Sequence, residues 1–241
     1  MLKVKGDRLL LSNFNIQFLN KVPIKGIDMP RIARGLAGDE IYHIINRGNR
    51  RAEVFHNDED YEKFIELMIE AKKMTNVKLY SFVLMPNHFH FIAEPSEAKD
   101  LSKYMQWLLT SYVRYYNKTY KTSGHLWQGR YKSFIVQRDN YFLTLLNYVE
   151  QNPQRAKLKQ WKYVSSNSKF NDFIDKLPIE LPENWEEFKK EVLNKKDKAK
   201  IDNSIQRQSP YGNDDWVNDT AVKYDILSTI NPRGRPKKVD K

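Results

Sequence analysis

The chain has 241 residues, enough to bury a sizeable core, and its 41 Lys and Arg outweigh 30 Asp and Glu to leave a net charge of +11. A surplus of that size favours an anionic partner, of which nucleic acid is the commonest. No apolar run approaches the length of a bilayer span and Cys is absent, which excludes disulfides and thiolate metal sites. A soluble, cytoplasmic protein is expected, with any metal held by His, carboxylate or amide groups.

In chain order, Ile41 to Asn46 reads as a strand that ends in the basic, turn-rich loop Arg47-Gly48-Asn49-Arg50. Asn57 to Asp60 supplies a cap and an acidic first turn for a helix whose apolar positions Tyr61, Phe64, Ile65, Met68 and Ala71 share one face. Val77 to Met85 is a second strand, Pro86-Asn87 interrupts it, and His88 to Ala93 resumes as a third. A long helix is expected from about Lys99 to Tyr120, then a strand from Tyr131 to Gln137. A last helix, capped at Asp139-Asn140, stops near Asn152-Pro153, because the residue before a proline is pushed out of helical geometry. The order β-α-β-β-α-β-α implies an α+β fold, a largely antiparallel sheet of four to five strands with helices packed on it. Residues 171–208 are polar and helix-prone, Pro210-Tyr211-Gly212 is a turn, and a final short helix follows.

Charge concentrates along residues 102–138, which hold seven basic residues, nine aromatics and no acid. Basic groups track a phosphate backbone and exposed aromatic faces stack unpaired bases. Tyr104, Tyr112 and Tyr116 fall in a helical stripe with Leu101, Met105, Leu108 and Leu109 and belong to the core. The candidate DNA contacts are Arg114, Lys118, Trp127, Arg130 and Lys132, joined by Arg47, Arg50, Arg51 and Arg155.

His88-Phe89-His90 is the sharpest local signal. Residues two apart in a strand project from one face, so both imidazoles converge while Phe89 and Phe91 enter the core. Two such imidazoles are natural ligands for a divalent metal. Tyr148 and Asn152 sit four apart on the last helix, hence on one face. Asn152 can offer its carbonyl oxygen as a third ligand and place the Tyr148 hydroxyl beside the metal, where it could attack a phosphodiester. A tyrosine with an ordinary pKa near 10 is a poor nucleophile, so nearby positive charge must favour the phenolate; Arg155 and Lys157 are candidates.

Three segments then match a known family: Met85-Pro86-Asn87-His88-Phe89-His90, Gly124-His125-Leu126-Trp127-Gln128-Gly129-Arg130-Tyr131, and Tyr148-Val149-Glu150-Gln151-Asn152-Pro153-Gln154-Arg155-Ala156. Together with Met29-Pro30-Arg31 and the Ile41 to Arg50 stretch, they resemble the REP-associated tyrosine transposases, the host-domesticated branch of the single-tyrosine HUH transposases. The resemblance implies an HUH domain, ferredoxin- or RRM-like, over residues 29–165. An N-terminal extension (1–28), a helical C-terminal extension (166–230) and a basic disordered tail (231–241) flank it. It implies that His88, His90 and, in place of the Gln of many relatives, Asn152 hold Mg²⁺ or Mn²⁺. Tyr148 would form a 5′-phosphotyrosine on single-stranded DNA beside a hairpin, such as a repetitive extragenic palindrome. A nucleoid-associated monomer or homodimer follows. Two readings compete: a catalytically inactive nucleic-acid-binding regulator on the same fold, and a metal phosphodiesterase that uses water, with Tyr148 structural.

The tail resembles an AT-hook at Arg233-Gly234-Arg235-Pro236, in which both arginines lie along a narrow minor groove. Deleting residues 231–241 is expected to lower DNA affinity and flatten its salt dependence, by up to about one unit of log–log slope per lost phosphate contact, without touching cleavage of a saturating short hairpin. Equal affinities and slopes in a salt titration of the two chains would reduce the tail to a solubility feature.

Overall fold

The structure is a computed structural model that describes residues 35–190 and 193–231. The expected N-terminal extension and the basic tail with Arg233 and Arg235 lie outside the described residues. Four strands, β1 (Tyr42–Arg47), β2 (Val77–Met85), β3 (His88–Pro95) and β4 (Lys132–Ile135), form one sheet in the order β2-β3-β1-β4. Every pairing in it is antiparallel, the lower bound of the expected strand number. The turn at Pro86-Asn87 joins β2 to β3 as a hairpin, and β1 runs between β3 and β4.

Alternation along each strand divides the core in two. Tyr42, Ile44, Phe82, Leu84, Phe89, Phe91 and Ile135 face one side, where α1 (Asp58–Lys73) and α2 (Ala98–Thr119) cover them. Ile92, Val83, Met85 and Phe134 face the other side, against α3 (Asn140–Glu150) and Ile201 of α6 (Lys195–Arg207). A β-bulge between Leu79 and Ser81 lets Leu79 and Phe82 face the same side although they are an odd number of residues apart.

The helix starts follow the local chemistry. The Asn57 side chain accepts from the Asp60 amide and caps α1, and three acidic residues complement the helix N-terminus. Asp60 itself is fully buried. Its carboxylate accepts from the His56 amide (2.8 Å), the Tyr120 hydroxyl (2.7 Å) and the Tyr115 hydroxyl (3.1 Å), so it ties the loop before α1 to the far end of α2. The helix expected to stop near Asn152-Pro153 ends just before it. α3 ends at Glu150, Gln151 breaks the run, and α4 (Asn152–Arg155) restarts with Pro153 in its first turn, where a missing amide proton costs nothing. Tyr148 and Asn152 therefore sit on consecutive short helices.

The residues after α4 lie along both outer strands. On the β2 side the Leu84 amide donates to the Tyr163 carbonyl, the Ser165 amide donates to the Phe82 carbonyl, and the Asp175 carboxylate takes the Leu79 amide. On the β4 side the Tyr211 amide donates to the Ile135 carbonyl, and the Tyr211 carbonyl accepts from the Gln137 amide. α5 (Trp185–Lys190), α6 and α7 (Asp214–Lys223) are the helices of this C-terminal part. Among the described residues no helix is long and apolar enough to cross a membrane.

Replacing Asp60 with Ala strips three donors of a buried, charged acceptor and is expected to cost about 2–4 kcal/mol of unfolding free energy. Urea denaturation measures it. A loss below about 0.5 kcal/mol, the size of an ordinary surface change, would mean that water replaces the carboxylate.

Candidate active site

The site lies on the face of the sheet opposite α1 and α2. In β3 the even positions point there, which puts His88 and His90 on one side with their rings 5.1 Å apart at 82°. Their neighbours Phe89 and Phe91 are fully buried on the other. Across the sheet, register sets His88 opposite Arg47 and His90 opposite Ile45. From above, α3 lowers Tyr148 so that its ring meets the His90 ring edge-on, with centroids 5.8 Å apart. His88, His90 and Tyr148 are thus brought together.

Hydrogen bonds orient the two imidazoles. His88 Nδ1 lies 2.6 Å from the Asn87 side-chain oxygen, which can only accept, so Nδ1 carries the proton and Nε2 keeps a free lone pair. The same Asn87 donates through Nδ2 to the Arg51 carbonyl at 3.1 Å. His90 Nδ1 faces His43 Nε2 at 2.8 Å. His43 was not singled out in the sequence. It stands on β1 between the core residues Tyr42 and Ile44, and that alternation alone would have placed it on the His88–His90 face. Burial drives all three His toward the neutral form. It pushes His43 down to about 3 and, helped by Arg47, His88 down to about 4. His90 falls well below the usual His range, again chiefly by burial. Neutral imidazoles are the form that binds metal, and Asn87 leaves the Nε2 lone pair of His88 uncommitted, so the donor chemistry fits a divalent cation. Among the described residues no three His, Cys, Asp or Glu side chains cluster closely enough to hold a metal by themselves. A third donor of another type is required, and the amide of Asn152 is of that type. Its NH₂ group donates to the Tyr148 carbonyl at 3.1 Å, leaving the amide oxygen uncommitted by that bond.

Tyr148 is 7% exposed. Burial raises its pKa to about 12, and the negative charge of the Asp202 carboxylate of α6 adds to the rise. Arg155 and Arg47 oppose it. The Arg155 guanidinium stacks on the phenol ring at 4.3 Å and donates to the Tyr148 carbonyl at 2.5 Å. Arg155 therefore acts in the expected direction, but desolvation is the larger effect. Lys157, the other expected cation, is exposed and lines a separate cleft with Glu150, Gln154 and Trp161. Asp202 lies in the C-terminal part and carried no sequence signal.

Of the candidate DNA contacts, Arg47, Arg130 and Lys132 gather around one cleft of about 340 Å³ beside Asn46, Gly129 and Ile205. Two backbone hydrogen bonds, Gln128 N to Arg47 O and Asn49 N to Leu126 O, and one from Asn46 Nδ2 to the Gly129 carbonyl hold the Gly124–Tyr131 loop against the end of β1. Arg50 and Arg51 are exposed, both in left-handed backbone (φ 54° and 63°) that L-residues adopt only at a cost. The Arg51 amide bond to Gly48 and the Asn87 contact hold that conformation. Arg114 and Lys118 are exposed on α2. Trp127 departs from expectation. It is buried among Phe64, Phe89 and Tyr112, so its ring faces are taken by the core and not offered to a base; only its margin reaches the cleft between α2 and the 124–131 loop.

Residues 38–152 match the family model of IS200-like transposases. The matched segment is just under half of the chain. It holds the whole of the sheet, both His of the His-Phe-His strand and Tyr148. No curated protein matches the chain. Among solved structures, a REP-associated tyrosine transposase bound to a REP hairpin is similar at 15% identity, over 64% of this chain and 90% of that one, with a TM-score of 0.47.

The folded-state pKa of His88 lies below its ordinary value, so folding favours the neutral ring. The associated stability is complete above pH 6.5 and drains away as pH falls toward about 4. In the metal-free protein the unfolding free energy is expected to drop by up to about 3 kcal/mol for this group over that window. His88→Gln should flatten the acid side of a pH series of urea melts. Superimposable profiles for the two proteins would contradict the burial assignment.

Proposed function

We propose that the chain is a metal-dependent, single-tyrosine transposase that cuts and rejoins single-stranded DNA next to a hairpin, as in repetitive extragenic palindromes of the nucleoid. The observation that carries the reading is the convergence of Tyr148 on the His88–His90 pair, at a 5.8 Å ring separation, inside the segment that matches the IS200-like transposases. His88 and His90, with the Asn152 amide oxygen, would hold Mg²⁺ or Mn²⁺; when bound, the ion supplies charge neutralisation for the phosphoryl oxygens.

The chain's own groups then have distinct tasks. Arg47, Arg130 and Lys132 bind the backbone of the single strand in their shared cleft and bring the scissile phosphate toward the His face. The Tyr148 oxygen attacks phosphorus and its proton passes to the Asp202 carboxylate. The phosphorus–oxygen bond to the 3′ carbon breaks, giving a 5′-phosphotyrosine and, after protonation, a free 3′-hydroxyl. Arg155, stacked on the ring, favours the phenolate that this step passes through. One tyrosine forms one covalent end at a time, so rejoining requires a free 3′-hydroxyl or a second copy, whether the chain acts as a monomer or a homodimer.

One observation favours the alternative of a binding protein without cleavage: the nucleophile is 7% exposed and its pKa is pushed up to about 12. Incubation with labelled hairpin oligonucleotides and Mn²⁺, scored for a protein–DNA adduct, separates the two. Tyr148→Phe is expected to abolish the adduct and keep DNA affinity within about three-fold, since only the nucleophilic oxygen is lost. An adduct in that variant moves the nucleophile elsewhere, and cleavage in chelator removes the metal from the reading. Hairpin binding with no adduct in the wild type, at any metal concentration, establishes the binding protein.

A further inference from the structure

A buried side chain outside the proposed ligand set stands in direct hydrogen-bond contact with one of its members. His43 is fully buried on β1, and its Nε2 lies 2.8 Å from His90 Nδ1. The two rings are within 7° of parallel, with centroids 5.0 Å apart. Their planes cannot be further apart than the 2.8 Å nitrogen–nitrogen gap, which is closer than stacked rings approach. The rings therefore lie end to end in nearly one plane, the arrangement that points a nitrogen lone pair along an N–H bond.

A single proton occupies that gap, and its position decides what His90 can do. If His43 donates from Nε2, His90 accepts at Nδ1, carries its own proton on Nε2 and has no lone pair for a cation. If His90 donates from Nδ1, its Nε2 is free, and the His43 proton must reside on Nδ1. His43 Nδ1 is buried and has no hydrogen-bond partner. The His43 ring as a whole packs edge-on against the Phe134 ring, with centroids 4.9 Å apart, and against the Tyr148 ring, with centroids 6.3 Å apart. An orphaned buried donor costs more than an orphaned lone pair, so without a cation the first arrangement is preferred. Going from the first to the second moves one proton, in net, from His90 Nε2 to His43 Nδ1, and the charge of the pair does not change.

We propose that His43 is the positioning residue of the His88–His90 site: it holds the His90 ring in plane and, by taking its own proton to Nδ1, releases His90 Nε2 for a divalent cation. His88 needs no such help, because Asn87 already commits its Nδ1 to donation. The two ligands are therefore unlike. One is permanently set for metal, and the other is switched to it at the cost of an unpaired N–H. The inference rests on the proposed metal site, and outer-shell partners of this kind typically carry about 10–100-fold of metal affinity.

The test uses the full chain with Mn²⁺ alone, without DNA. Free Mn²⁺ is titrated by its electron spin resonance signal against wild type, His43→Leu and His43→Gln, with thermal melts confirming that each is folded. His43→Leu is expected to weaken Mn²⁺ binding about 10-fold or more, and His43→Gln, which keeps an acceptor within reach of His90 Nδ1, to recover most of it. In parallel, ¹⁵N spectra of the imidazoles report tautomers directly. His90 should carry its proton on Nε2 in the metal-free wild type and on Nδ1 with saturating Mg²⁺, and should lose that single-tautomer signature in His43→Leu. Equal Mn²⁺ affinity in folded wild type and His43→Leu would overturn the proposal. If the wild type itself takes up no Mn²⁺, the metal reading fails. The spectra then still decide about His43, since an unaltered His90 tautomer in His43→Leu would dismiss it as a positioning residue.

Discussion

The antiparallel register of β3 against β1 is the constraint on which the remaining geometry depends. Because side chains alternate, a slip by one residue would turn His88 and His90 into the α1–α2 core and expose Phe89 and Phe91. The pairing also brings His43 within reach of His90 and sets Arg47 opposite His88. What prevents the slip is the apolar half of the pattern. Phe89 and Phe91 pack against Phe64 and, for Phe89, Trp127, and each buried aromatic is worth several kcal/mol that a shifted register would forfeit.

The same face combines burial with ionisable groups. Burial drives His43, His88, His90 and Tyr148 toward neutrality, which suits imidazole ligands and works against a phenolate. The Tyr148 environment contains opposing charges, Arg155 and Arg47 on one side and Asp202 on the other, and neither overcomes desolvation. Charge brought in by a ligand, whether a cation at the His pair or a phosphate near Arg47 and Arg155, would therefore act on a poorly screened background, where each added charge counts for more than at the surface.

Much of this arrangement is legible in the sequence because its signals are local. The cap at Asn57, the Pro86-Asn87 turn and the strict alternation around His88 are read within a few residues, and the element order follows from them. The misplaced features depend on contacts between distant segments. Trp127 looks like a surface aromatic within a basic stretch, yet Phe64, Phe89 and Tyr112 enclose it from three other elements. His43 is missed because a single His in a strand has no partner visible in sequence, although it lies 47 positions from His90. Asp202 reaches Tyr148 from a polar helix whose sequence has no feature tied to the site. Gln151 ends α3 one or two residues before the place suggested by Pro153, and the proline falls in the first turn of a new short helix, where it is as acceptable as after the last turn of an old one.

The hydrogen bonds along β2 and β4 carry a consequence for anyone who trims the chain. The IS200-like segment ends at Asn152, but Tyr163, Ser165 and Asp175 occupy the free side of β2, and Tyr211 occupies that of β4. Cut back to its family segment, the sheet would present two rows of unpaired amides and carbonyls to solvent. Such rows are templates for strand addition from a neighbouring molecule, most readily a copy of the shortened protein itself. The residues after Asn152 thus guard the sheet against aggregation, a duty that is separate from chemistry and sufficient to keep them attached.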